Sequence, residues 1–222
     1  MVLLALDTAT RVLSLALHDG QHIAYEATWH TANNHTVELA PAIEGALTRC
    51  DVRPQALRAV AVALGPGSFT GLRIGLGVAK GLALAWELPL VGVPTLAITA
   101  AGVPRFDGAL IAVLQAGRTR ICAQPFAWER GAWHATATAV ITSWERLLAD
   151  VHTPTLIAGE VDEAGRAQIA AVPSVQIATG AVSLRRAGFL AEIAWERLRA
   201  GRTDDPRTLA PIYLHQPGVP HP

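Results

Sequence analysis

The spacing of apolar and polar positions changes several times along the chain, and each change marks an element. Val2–Leu6 is an apolar run that stops at Asp7, and Val12–Leu17 is a second, closed by the turn signal His18-Asp19-Gly20. Gln21–Trp29 alternates loosely, so three strands in succession predict an antiparallel meander. From His35 to Arg49 the apolar positions take helical spacing, with Leu39, Ile43, Ala46 and Leu47 on one face. Pro41 lies inside this helix and must kink it or mark its first turn. Leu57–Leu64 is apolar throughout, as in a parallel strand covered on both faces. A glycine-rich stretch, GPGSFTGLRIGLGVAKGLA from Gly65 to Ala83, then opens a helix reaching about Glu87. Pro89–Val93 reads as another buried strand and Thr95–Ala101 as a short helix.

Pro104–Gly108 breaks the pattern, and the second half starts in the same way. Ala109–Leu114, Arg120–Ala127 and Trp133–Ile141 read as three strands, Ser143–Val151 as a helix and Thr155–Ala158 as a strand. A last amphipathic helix runs from about Leu184 to Ala200, with Gly201 placed as its C-cap. The order of elements predicts two versions of one βββα unit, divided as residues 1–103 and 104–222. The segment 217–222 is proline-rich and reads as a loose tail.

Composition narrows the possibilities. Apolar residues make up 51% of the 222-residue chain, enough for a real core, whereas charged residues make up only 16%, which suggests surface covered by a partner. Eighteen basic and eighteen acidic side chains balance, so nothing marks a free-standing nucleic-acid binder. Cys50 and Cys122 form no CxxC pair and offer neither a disulfide framework nor a zinc site. The start MVLLALDTAT has no basic n-region, and Gly81–Val103 is interrupted by Glu87, Pro89 and Pro94. These features together predict a soluble cytoplasmic protein without a membrane span.

The glycine-rich stretch fails as a phosphate loop. Gly71 is followed by Leu72-Arg73 where a P-loop needs lysine and a hydroxyl. Gly65, Gly67 and Gly71 are out of step with a dinucleotide fingerprint, and Ser68 lacks the spacing of a hydrolase elbow. Ser68 and Thr70 are placed to cap the helix, the reading preferred over anion contact at its N-terminus. Within the helix, Gly71 and Gly75 are four apart, as are Gly77 and Gly81. Each interior glycine costs about 0.8–1 kcal/mol relative to alanine, so something must offset four of them. Glycine admits a close backbone, and the apolar Leu72, Ile74, Leu76, Val78, Leu82 and Leu84 surround the helix, which predicts burial on most sides. A second protein is the preferred cover, and burial between the chain's own two lobes is the alternative. The contact candidates are Phe69, Gly71, Leu72, Gly75, Leu76 and Val78, rimmed by Arg73 and Lys80. On this reading Gly75→Trp abolishes pairing and spares the fold.

Four segments, LALDTAT, NNHTVELAPAIEGAL, AVALGPGSFTGLRIGLGVAKGLA and PLVGVPTL, together resemble the bacterial TsaB (YeaZ) proteins. The likeness is close over about the first hundred residues and rests on element order and a closing PIYL beyond them. It implies an α/β fold of two ribonuclease-H-like lobes, of the actin/Hsp70-like ATPase (ASKHA) type, with mixed sheets and flanking helices. It implies a non-catalytic subunit of the machinery that makes threonylcarbamoyladenosine in tRNA. The implied partners are a TsaD-like transferase, through the glycine-rich helix Phe69–Ala85, and a TsaE-like ATPase. A homodimer through the same face is expected when the chain is alone, with tRNA met only through the complex.

The same resemblance marks what is missing. The catalytic relative carries two metal-binding histidines where this chain has Thr95 and Thr99, and threonine is a poor substitute for imidazole. The ATPase fold uses a glycine soon after the first-strand aspartate, whereas Asp7 is followed by Thr8, Ala9 and Thr10. No Gly-Gly occurs for the adenosine step. No catalytic residue, metal site or cofactor of its own is therefore expected, ATP or ADP being confined to a composite site in the complex. Two departures fall in the second half: Gln115-Ala116-Gly117-Arg118 stands for a DxR-like segment, and Tyr213-Leu214-His215 for YLR.

Other residues carry paired readings. Asp7 and Ser68 are candidates for a shared nucleotide contact, while Asp7 bonding to turn amides is preferred. His18 and His22 flank a turn and make a poor metal pair. His35 reads as a cap or surface contact rather than a catalyst. Arg185, Arg186, Arg197, Arg199 and Arg202 read as a solvated basic face, with proximity to tRNA the alternative. Two enzyme readings remain beside the subunit: an independent ATP-dependent enzyme, and a peptidase acting on the partner.

Overall fold

A computed structural model describes residues 1–32 and 34–214. Its strands are β1 (Val2–Asp7), β2 (Val12–His18), β3 (Ile23–His30), β4 (Leu57–Gly65), β5 (Leu90–Pro94), β6 (Ala109–Gln115), β7 (Ile121–Glu129), β8 (Ala132–Ala135), β9 (Val140–Thr142), β10 (Thr155–Gly159) and β11 (Val175–Ile177). Its α-helices are α1 (His35–Arg49), α2 (Phe69–Ala85), α3 (Thr95–Ala101), α4 (Trp144–Ala149), α5 (Glu163–Ile169), α6 (Gly180–Ser183) and α7 (Ala187–Arg199).

The first sheet has the order β3-β2-β1-β4-β5, with β1–β3 antiparallel and β4 and β5 parallel to β1. The second has the order β11-β10-β6-β7-β8, the same arrangement read from the other end, with β9 also on β7. The repeated βββα unit is thus present, and each copy goes on to further parallel strands.

Alternation along β1 explains the layering of the first unit. Leu4 and Leu6 point to one face, where they meet Leu39, Ile43 and Leu47 of α1 and Leu76, Ala79 and Ala83 of α2. Leu3 and Ala5 point to the other, against Leu190, Ala191 and Ala194 of α7. That second face is built from small residues, Ala5, Ala16, Ala59, Ala61 and Ala63, which let α7 lie close to the sheet.

The placement of α7 differs from a division at residue 103. The chain forms one compact unit from Met1–Ile98 with Arg185–Ile212, and a second from Thr99–Leu184 that resumes at Tyr213. The last helix therefore completes the first unit. It starts at Ala187, not Leu184, and ends as expected: Gly201 has φ +68°, its N–H donates to Leu198 and that of Arg202 to Arg197.

Two further differences lie in the second unit. The expected strand Trp133–Ile141 is two strands, β8 on Phe126–Glu129 and β9 on Ile121–Ala123. Between these stretches sits Pro125, which has no N–H for the ladder; its carbonyl takes the Thr136 N–H, and the Gln124 amide reaches Ala137. The sequence pattern predicts no element at α5, β11 or α6. His215 and the tail 217–222 lie outside the described residues.

Candidate partner interface and the Asp7 cluster

The helix α2 begins where the sequence places its cap. Ser68 is extended, and its Oγ accepts the Gly71 N–H at 3.2 Å. Before it, the glycine loop lies on the chain's own β1–β2 turn. The Ser68 N–H donates to the Ala9 carbonyl at 2.6 Å, and a side chain at Gly67 would run into that same carbonyl. A side chain at Gly71 would strike the Thr8 carbonyl, and one at Gly75 the Thr8 hydroxyl. Thr8 in turn donates from Oγ1 to the Gly71 carbonyl at 2.8 Å. The close backbone neighbour of this first glycine pair is therefore the turn after β1.

This corrects half of the expected interface. Gly71, Leu72, Gly75 and Leu76 are buried in the chain's own core, and Gly75→Trp would break the fold it was meant to spare. Val78 is half-buried and packs on that core as well. Phe69, Arg73 and Lys80 lie on the opposite stripe, Phe69 being 54% exposed with the Arg73 guanidinium 3.8 Å above its ring. Steps of three and four along that stripe reach Gly77, Gly81 and Leu84, which were not among the candidates. Among the described residues, a side chain added at Gly77 or Gly81 would meet nothing within 4 Å, and Leu84 is 57% exposed. Register from Phe69 and Arg73 was the signal that could have found them. The outward stripe is thus flat at its glycines, apolar at both ends and basic at its rim.

On the inner side, Asp7 is fully buried. Its Oδ1 accepts the Ala9 N–H at 2.9 Å, the turn contact expected for it. Its Oδ2 pairs with Nε of Arg185 at 2.5 Å, and Arg185 also donates to Thr10 Oγ1 at 3.0 Å. Arg185 is itself only 5% exposed, so it is no member of a solvated face. The next three residues also bond to the N-terminal strands. Arg186 pairs with Glu26, the Ala187 N–H donates to Ser14 Oγ at 2.6 Å, and the Gly188 N–H donates to Glu26 Oε1 at 2.7 Å. Arg197 pairs with Asp204 and donates to the Gly92 carbonyl, whereas Arg186, Arg199 and Arg202 are exposed.

The remaining candidates have structural partners. His35 is buried, not a surface contact, and its Nε2 lies 2.9 Å from the Thr10 carbonyl; a carbonyl only accepts, so Nε2 carries the proton. His18 Nδ1 accepts the Gly20 N–H at 2.9 Å while its ring stacks on Trp195, and His22 lies beside Asp19. Thr95 Oγ1 accepts the Gly65 N–H at 3.0 Å, and Thr99 is buried one turn on. Gln115–Arg118 turns β6 into β7, with the Gln115 amide on Glu160. Burial pushes the Cys122 thiol up to about 11, which keeps it protonated and inert. Among the described residues no group of three potential metal ligands converges, and no helix is long and apolar enough to cross a membrane.

A family model described as TsaD, tRNA N6-adenosine threonylcarbamoyltransferase, matches residues 29–183. The Bacillus subtilis (strain 168) tRNA threonylcarbamoyladenosine biosynthesis protein TsaB is 32% identical over 162 residues, which are 72% of this chain and 71% of that protein. The chain belongs to the TsaB (YeaZ) family. A crystal structure of a Pseudomonas aeruginosa protein with similarity to peptidase YeaZ superposes with a TM-score of 0.80 at 25% identity, covering 96% of this chain and 99% of that one. The ADPNP-bound activator of 2-hydroxyisocaproyl-CoA dehydratase from Clostridium difficile matches at TM-score 0.56 and 10% identity over 91% of this chain and 97% of that one, a likeness of fold alone. The two-lobed actin-like ATPase fold expected for a TsaB protein is therefore the fold of this chain.

Proposed function

We propose that this TsaB-family chain is a non-catalytic subunit of the tRNA threonylcarbamoyladenosine machinery, which holds and activates a TsaD-like transferase through the outward stripe of α2. One observation carries the reading: Gly77 and Gly81 cost helix propensity where no described residue of their own chain comes within 4 Å of an added side chain. A partner helix or backbone lying across them would recover that cost, with Phe69 and Leu84 as apolar anchors and Arg73 and Lys80 at the rim. The relatives' names supply the pathway, and the match of a transferase family model to this chain supports a pair of proteins of like fold. The reading assigns the chain no cofactor of its own, a TsaE-like ATPase as a further subunit, tRNA contact only through the complex, and self-pairing by the same stripe when the partner is absent.

Co-expression with the TsaD-like transferase of the same cell tests it. Wild-type chain should co-purify with the transferase and restore threonylcarbamoyladenosine in tRNA of cells depleted of their own subunit. Gly77→Trp should do neither while staying folded. Undiminished pairing by that variant would move the interface off the stripe. Turnover of ATP or cleavage of the transferase by the isolated chain would instead favour the enzyme readings.

A further inference from the structure

The actin-like fold implies a nucleotide, and the residues at the first-strand carboxylate can be tested for it. A carboxylate beside a phosphate loop needs a free oxygen and a cation, and the loop needs bare backbone. Here both Asp7 oxygens are engaged, one by the Ala9 N–H and one by Arg185. The turn carries Thr8 and Thr10 side chains, which bond to the Gly71 carbonyl and to Arg185. Among the described residues no buried side-chain nitrogen or oxygen lacks a partner, so nothing there awaits a ligand. The set does not fit a metal-bound phosphate.

We propose that Arg185 is a tethered cation, supplied by the chain itself, that permanently fills the position at Asp7. Three properties suit it to that work. Its guanidinium keeps its charge. Its planar fork satisfies the Asp7 carboxylate and the Thr10 hydroxyl together. It is also held in register by its neighbours, since Arg186, Ala187 and Gly188 are each bonded to β2 or β3. The site at Asp7 is thus closed from within, and a nucleotide in the assembled complex would be bound without Asp7. This inference is independent of which protein covers α2.

Thermal melts of the full chain with Arg185→Ala, Asp7→Asn and the double change Asp7→Asn/Arg185→Met test it. Either single change leaves a buried charge unpaired and should lower Tm by about 10 °C or more. The double change removes both charges and should recover most of that loss. Millimolar guanidinium chloride should raise the Tm of Arg185→Ala alone, by refilling the position. Singles as stable as wild type, or a double change worse than the sum of both singles, would overturn the proposal. If the singles do not fold, calorimetry decides: Mg-ADP should bind the complex with the transferase equally well whether it carries wild-type chain or the double variant. A tenfold or greater loss of affinity with the double variant would return Asp7 to the nucleotide.

Discussion

The two glycine pairs of α2 have the same spacing, the same helix and opposite surroundings. Gly71 and Gly75 press on Thr8, where no side chain fits, whereas no described residue stands over Gly77 and Gly81. Glycine at four-residue spacing therefore signals a close neighbour without saying whose it is. The inward pair is explained by this chain's own fold. The outward pair costs about 2 kcal/mol of helix propensity that the monomer does not recover, which is why the second pair, not the first, points to a partner.

The largest effect lies at Gly75. Gly75→Trp should leave no folded protein, because the indole has only the place of Thr8 to enter; circular dichroism and urea titration would show it, and a native-like melt would mean the inward assignment is wrong. Gly77→Trp should shift the urea midpoint little and weaken transferase binding by about a hundredfold or more, as expected for a bulky group at the centre of a packed interface; calorimetric titration separates the two effects. Gly77→Ala with Gly81→Ala should stabilise the monomer, kept too dilute to self-pair, by about 1–2 kcal/mol, since no described residue opposes the added methyls. A loss of stability in that pair would show that the outward face is already covered. Ser68→Ala should cost about 1 kcal/mol by removing the cap that both pairs share.

Much of the architecture was legible because it rests on local pattern. The bounds of α1 and α3 coincide with the periodic stretches His35–Arg49 and Thr95–Ala101, and the cap at Ser68 and the left-handed Gly201 follow from side-chain chemistry alone. What escaped depends on distant partners or on brevity. Pro125 splits the expected strand after it by acting on the other side of a ladder. α5 and β11, at 7 and 3 residues, are too short for periodicity to declare. At the site, spacing revealed both glycine pairs, but which pair faces inward is decided by Thr8, far upstream. The Asp7–Arg185 pair joins residues 178 positions apart, and a run of arginines near a helix carries no mark of which one turns inward.

The start of α7 has a consequence for how the chain is made. Its first turn has no side-chain cap of its own; the Ala187 and Gly188 amides are satisfied by Ser14 and Glu26, residues synthesised long before them. On the ribosome, the alanine face of the first sheet must therefore wait uncovered while the whole second unit is translated, on the order of ten seconds at bacterial rates. A nascent chain arrested before Arg185 should be open to protease along β1–β5, and one arrested after Ile212 has cleared the exit tunnel should be resistant. The first unit closes only once residues 185–212 have emerged, so strands made early become secure late.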